Sequence, residues 1–171
     1  MVKIGEVDTG IVEDITLRHT LIRTFENRRV VIPNSTLSSA TILNSTIADK
    51  KVCQFVEIGI SYDSDLELAT KIIEEEASKH PDFIDNRTNA EKEEGKPIVD
   101  VRVIDFRDSA VQLRAYVWSV DPLKAFFMRT DILKAVKLRF DAEGVIIPYP
   151  HRTLYVKEMP GTNPGGEESL Q

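Results

Sequence analysis

Reactive side chains are scarce in this chain. It has one cysteine, Cys53, and three histidines, His19, His80 and His151. A single thiol excludes an internal disulfide and fits a reducing compartment. No basic neighbour in sequence lowers its pKa, so Cys53 reads as a small buried hydrophobe rather than a nucleophile. The histidines are far apart and lack metal-ligand spacing. His19, between Arg18 and Thr20, reads as a surface strand residue, and His80 as a helix end whose charge suits the dipole. There is no phosphate-cradling glycine loop. Glu74-Glu75-Glu76 reads as a solvated helix face, whereas acid–base work needs separated, desolvated carboxylates. The expectation is therefore a non-enzyme with no cofactor and no metal.

Long apolar runs and positive charge are also missing. Stretches such as Val145-Ile146-Ile147 fall far short of the ~18 residues needed to cross a bilayer. No charged-then-apolar leader opens the chain. The net charge is −6, whereas a duplex-binding protein needs a concentrated basic face. Nucleic acid is not expected as a partner.

What remains is an ordinary soluble composition, 42% apolar and 29% charged. The length of 171 residues allows one domain or two small ones, burying roughly two thirds of the unfolded surface. Residues 1–50 are electrically neutral. Residues 158–171 carry only glutamates among glycine and proline, a composition that reads as disordered.

Residues 10–45 read as consecutive short strands. Thr16, Thr20, Thr24 and the Val/Ile positions suit a pleated surface. Glu26-Asn27-Arg28-Arg29 reads as a hairpin turn, with Asn27 tolerating positive φ. Val30-Val31-Ile32 ends at Pro33, which cannot donate to a ladder. Asn34 and Ser35 are placed to cap a short helical turn. Strands at this spacing predict a small barrel or sandwich.

From Val52 the pattern changes. Alternation over Val52–Ile60 predicts a strand. Ser64-Asp65-Leu66-Glu67 reads as a capping box opening a helix with Leu66, Ala69, Ile72, Ile73 and Ala77 on one face. Residues 82–97 have loop composition. Val99–Asp105 and Val111–Val117 read as two strands joined at Arg107-Asp108-Ser109. Asp121-Pro122 opens a second helix that Gly144 stops. The face expected inward comprises Leu123, Phe126, Phe127, Thr130, Leu133, Val136, Lys137 and Phe140. Val145-Ile146-Ile147 is expected as the last strand. The order β-α-β-β-α-β is the ferredoxin-like arrangement. Such a sheet can bind RNA on exposed aromatics, and Phe106, Tyr116 and Trp118 lie on strands. No stretch carries the basic-aromatic signature of an RNA-recognition motif, and aromatics at strand spacing read as core. Pro148-Tyr149-Pro150 is a stiff spacer, followed by one further strand-like run.

Several motifs carry a family resemblance. Gly10-Ile-Val-Glu-Asp-Ile, Leu17-Arg18-His19-Thr20-Leu21-Ile22-Arg23-Thr24 and Val31-Ile32-Pro33-Asn34-Ser35, in that order, resemble the β domain of the small-conductance mechanosensitive channel (MscS) family. Pro148-Tyr149-Pro150 and the run after it resemble the family's C-terminal strand. The resemblance implies an α+β fold: a small all-β, Sm-like barrel at 1–50, a ferredoxin-like domain at 51–148, a strand at 149–157 for an inter-subunit barrel, and a tail at 158–171. It departs at the front, where the family has membrane helices and a Gly-Asp approach and this sequence has Met1. The pore-lining helix is therefore expected to be absent, and gating by tension impossible for this chain alone.

The implied role is the cytoplasmic vestibule of a channel on the inner membrane, contacting the membrane only through those missing helices. The implied partners are copies of itself in a heptamer, with permeating ions and small solutes. Pro33, Asn34 and Ser35 would fix a turn in the β ring, and Leu154 and Val156 would face the terminal barrel. Arg102 and Arg114 are candidate charges on the cage wall, or residues of an exposed sheet face. Two other readings stay open: a free-standing interaction or RNA-binding module of this fold, and a small ferredoxin-like hydrolase.

Overall fold

β-Branched residues dominate the first 44 positions, and they form strands. The structure, a computed structural model, describes residues 1–4 and 9–152. The first unit holds β1 (Val2–Ile4), β2 (Gly10–Ile15), β3 (His19–Thr24), β4 (Arg29–Pro33), the short helix α1 (Asn34–Ser39) and β5 (Ile42–Asn44). The five strands form one antiparallel sheet in the order β4-β3-β2-β1-β5. The β3–β4 turn is the one expected at 26–29, with Asn27 at φ 64°. Thr24 closes it, its hydroxyl accepting from the Arg28 amide at 3.2 Å. A bulge in β2 between Val12 and Asp14 leaves Glu13 to bridge Arg23 and Arg29, at 3.4 and 3.1 Å.

The core of this unit is small. Val2, Ile4, Ile22 and Ile32 are buried, supported by Val30, Leu37 and Ala40. Many apolar side chains remain exposed, among them Ile15, Leu17, Val31, Leu43 and Ile47.

The second unit holds β6 (Val52–Ile60), α2 (Leu66–Lys79), α3 (Asn89–Glu93), β7 (Asp100–Arg107), β8 (Ala110–Ser119) and α4 (Pro122–Glu143). Its sheet has three antiparallel strands, ordered β6-β8-β7. One face, lined by Val56, Ile58, Ile60, Val111, Leu113, Ala115 and Val117, is buried with Ala69, Ile72, Ile73 and Ala77 of α2 and with α4. The ferredoxin-like order of strands and helices is therefore present, with one difference. Val145–Ile147 makes no ladder. Val145 is buried in the core, and Ile146 accepts from the Ser61 amide at 2.8 Å. Pro148, directly after Ile147, has no amide to donate to a ladder.

Two other expectations are corrected. The α2 N-cap is Asp65, whose carboxylate accepts from the Leu68 amide at 3.0 Å. Ser64 instead accepts from the Ile146 amide at 3.0 Å. The buried face of α4 is Ala125, Met128, Ile132, Val136 and Phe140, while Leu123, Phe126 and Phe127 are exposed. Alanine at 125 lets the helix approach the sheet closely, which two phenylalanines would prevent. The α4 caps are as expected: Asp121 accepts from the Leu123 and Lys124 amides, and Gly144 stops the helix at φ 80°.

Arg139 of α4 ties the helices together. It reaches Glu75 at 2.6 Å and Glu76 at 3.0 Å on α2, and Glu143 at 2.7 Å. Glu75 and Glu76 therefore do not form a purely solvated face. Hydrogen bonding to Arg139 pulls the Glu75 carboxyl below its ordinary value; for Glu76, Lys79 contributes first and Arg139 second. A carboxylate with a depressed folded-state pKa stabilises above the ordinary value of 4.5 and loses that contribution as pH falls below it. Arg139→Met is thus expected to lower the melting temperature by a few degrees at neutral pH. The gap to the parent chain should narrow on acidification below about pH 4; a gap independent of pH would contradict the assignment.

Ser119 sets a second test. Its hydroxyl is fully buried and finds no hydrogen-bond partner among the described residues. An unsatisfied buried polar group costs stability, so Ser119→Ala is expected to be neutral or stabilising by up to about 1 kcal/mol. Thermal melting measures it, and a loss of stability would show that the hydroxyl is satisfied in solution.

Candidate functional site

The Pro33-Asn34-Ser35 turn is a lock. Pro33 precedes α1 and offers no side-chain cap. The Asn34 side chain does not cap the helix either. Its amide nitrogen donates to the Thr16 and Leu17 carbonyls, at 2.9 and 3.1 Å. Its oxygen accepts from the Thr20 hydroxyl at 3.0 Å, and its backbone N–H donates to the Arg18 carbonyl at 2.9 Å. One residue therefore fastens the β2–β3 turn to the end of β4. Ser35 is exposed. Leu154 and Val156, and the segments 149–157 and 158–171 beyond residue 152, lie outside the described residues.

Arg102 and Arg114 stand directly opposite one another on β7 and β8. They lie on the sheet face turned away from the helices. Like charges so placed repel, and each is offset by its own carboxylate. Arg102 reaches Asp100 at 2.6–2.7 Å, and Arg114 reaches Glu57 at 2.6–2.8 Å. Both also cover aromatic rings: Arg114 lies 4.7 Å from the Phe55 centroid and Arg102 6.0 Å from that of Tyr116. Phe55 meets Tyr116 edge-on at 5.1 Å. Of the strand aromatics expected as core, Tyr116 and Trp118 lie half-buried on the outer face, while Phe106, opposite Val111 on the helix-side face, is exposed at the end of β7.

Beside this face lies a groove of about 470 Å³. Cys53, Tyr116, Trp118 and Arg102 line its sheet side, and residues 86–98 form the opposite wall. That wall is the stretch expected as plain loop. It is held by the capping box of Thr88 and Glu91 around α3, by Arg87 on Asp85 at 3.0 Å, by the Arg87 guanidinium on the Lys96 carbonyl, and by Lys96 on Glu91 at 3.2 Å. Hydrogen bonds from Thr88 and Lys96 hold the Glu91 carboxyl down at about 2, so this brace keeps its charge far into acid. Burial pushes the Cys53 thiol up, which leaves it protonated and unsuited to nucleophilic attack. The signal for the wall was present in sequence: Thr88-Asn-Ala-Glu91 is the Ser/Thr-x-x-Glu pattern of a capping box.

The histidines do not converge. His80 ends α2, where one ring nitrogen lies 3.4 Å from Asp131 and the other accepts from the Asp82 amide at 3.1 Å. Among the described residues no cluster of His, Cys, Asp or Glu is arranged to hold a metal ion, and no helix is long and apolar enough to cross a membrane.

Residues 1–47 match the family description "Mechanosensitive ion channel, beta-domain", and residues 56–147 match "Mechanosensitive ion channel MscS, C-terminal". An MscS family protein of Archaeoglobus fulgidus is 28% identical over 176 residues, covering 99% of this chain and 58% of the relative. The small-conductance mechanosensitive channel MscMJ of Methanocaldococcus jannaschii is 30% identical over 154 residues, covering 87% of this chain and 40% of the relative. Among solved structures, Helicobacter pylori MscS in its closed state superposes with a TM-score of 0.71 at 24% identity, covering 88% of this chain and 55% of that one. The chain thus spans about half the length of the proteins it matches.

Proposed function

The chain belongs to the MscS family of mechanosensitive ion channels, and from that premise we propose that it forms the cytoplasmic vestibule of such a channel. The observation that carries this reading is the order of the two family segments, 1–47 then 56–147, filling nearly the whole described chain. The family is one of ion channels rather than enzymes. In this reading identical chains assemble as a ring, a heptamer, on the cytoplasmic side of the membrane, and ions and small solutes pass through it during osmotic efflux.

The physics of the first unit supports assembly. Four buried side chains are a meagre core, and the exposed Val31, Leu43 and Ile47 would be covered by neighbouring copies. Pro33 and Asn34 hold that unit in shape, with Ser35 beside them in the same turn. Leu154 and Val156 are assigned to contacts between terminal segments on the sequence pattern alone. Arg102 and Arg114 are assigned to the wall that permeating ions meet.

Native mass spectrometry of the chain tests the assembly. A ring of identical subunits is expected, and deletion of residues 149–171 should weaken it. A strictly monomeric chain at micromolar concentration would overturn the ring and favour a free-standing interaction module. In the full-length channel, Arg114→Glu should shift the reversal potential under a salt gradient towards cation preference; an unchanged potential removes Arg114 from the ion path.

A further inference from the structure

On the outer sheet face each strand aromatic but one carries a guanidinium. Arg114 covers Phe55 and Arg102 covers Tyr116, whereas Trp118 opens into the groove. The β6 residue opposite Tyr116 is Phe55, but opposite Trp118 it is Cys53. The indole row therefore lacks a ring where its neighbour has one, and a flat space remains beside the indole. Arg102 stands two rows away, opposite Arg114, and its guanidinium reaches back over Tyr116 in the row between. Asp100 occupies its Nε and Nη2, and Nη1 has no partner among the described residues. The side chain is 67% exposed, so it can turn towards one. Lys96 faces it from the wall, held by Glu91 at 3.2 Å and Glu94 at 3.5 Å. Three cations, Arg87, Lys96 and Arg102, line the groove with two acids, Glu91 and Asp100, while Asp85 and Glu94 pair with Arg87 and Lys96 from outside the lining.

We propose that this groove binds a small planar anion of the mononucleotide class. The base lies against the Trp118 indole beside Cys53, and the phosphate meets Arg102 and Lys96. Stacking on an indole is tolerant of base identity because every base has a π-face, and the guanidinium supplies charge-assisted hydrogen bonds to the phosphate. Asp100 and Glu91 stay on their cations, so the phosphate shares Arg102 rather than displacing its partner. A polynucleotide is disfavoured by the residue 86–98 wall and by the negative charge of the chain. This inference rests on the groove and does not depend on the channel reading.

Trp118 is the only tryptophan, so its fluorescence reports on the site directly. Titration of the full chain with AMP is expected to quench it saturably, with half-saturation below about 1 mM. Adenosine, which lacks the phosphate, and ribose 5-phosphate, which lacks the base, should each bind at least tenfold more weakly. Arg102→Gln should weaken AMP binding at least tenfold with the circular dichroism spectrum unchanged. Lys96→Gln reads the same contact from the wall should the first variant misfold. Quenching that rises linearly without saturation overturns the proposal. So does a folded Arg102→Gln chain that binds AMP like the parent, or ribose 5-phosphate binding as tightly as AMP.

Discussion

Replacing Asn34 by alanine is expected to destabilise the five-stranded unit by about 2–3 kcal/mol. The side chain makes three hydrogen bonds, and the loss is not symmetric among them. The Thr16 and Leu17 carbonyls can turn to water. The Thr20 hydroxyl cannot do so readily, because Thr20 is buried on the inner face of β3, and a buried group deprived of its partner carries the larger part of the cost. Amide exchange across β2–β3 is the appropriate measurement, since the effect is local. Protection of the His19–Thr24 amides should fall while that of β6–β8 stays unchanged. Asn34→Asp separates the contributions. It keeps the acceptor for Thr20 but sets a carboxylate against two carbonyl oxygens. It should be at least as damaging at neutral pH and recover partly in acid, where the protonated carboxyl regains one donor. Equal protection in all three chains would show that the turn is held by other contacts.

Gly10→Ala should be comparably severe, costing about 2–3 kcal/mol. A Cβ at this position would lie 2.5 Å from the Ile22 Cγ2 and 2.7 Å from the Arg23 carbonyl oxygen. Ile22 is one of four buried apolar side chains among the described residues of the unit, and it is 1% exposed, so it has no slack space to enter. The carbonyl belongs to the β2–β3 ladder, where Ile11 faces Arg23, and moving it breaks pairing on both sides. The effect should appear as a lower melting temperature together with faster exchange at the start of β2. Trimming Ile22 removes only the first of the two clashes, so Gly10→Ala with Ile22→Ala should be less stable than either single variant. Rescue by the double change would place the strain in the side chain alone.

These two positions mark what the sequence made legible. Gly10 and Pro33-Asn34 belong to the ordered motifs that carried the family resemblance, and local chemistry explains both. The hairpin at Asn27, the Asp121 cap and the Gly144 stop were readable for the same reason: each is decided within four residues. The inward face of α4 was not. Phe126 and Phe127 satisfy a helical period as well as Ala125 and Met128 do, and only the distance between helix and sheet selects the smaller set. Val145–Ile147 has strand composition, but pairing depends on a neighbour more than eighty positions earlier. The groove was invisible for a related reason. Its walls come from positions 53, 86–98, 102 and 116–118, and nothing in any one stretch announces the others. The Thr88–Glu91 box could have been read; its service as a wall could not.

The run after α4 is fastened by polar contacts to two serines and the end of β6: the Ile146 amide to Ser64, the Ile146 carbonyl to the Ser61 amide, and the His151 amide to Ser109. Ser109 sits in the β7–β8 turn and Ser61 and Ser64 follow β6. Traction on the carboxyl end would therefore be delivered first to the tips of the sheet, through one bond at His151, and only afterwards to the helix. The single bond at His151 would part first, and the two at Ile146, which share the load, would hold the core until they gave way together.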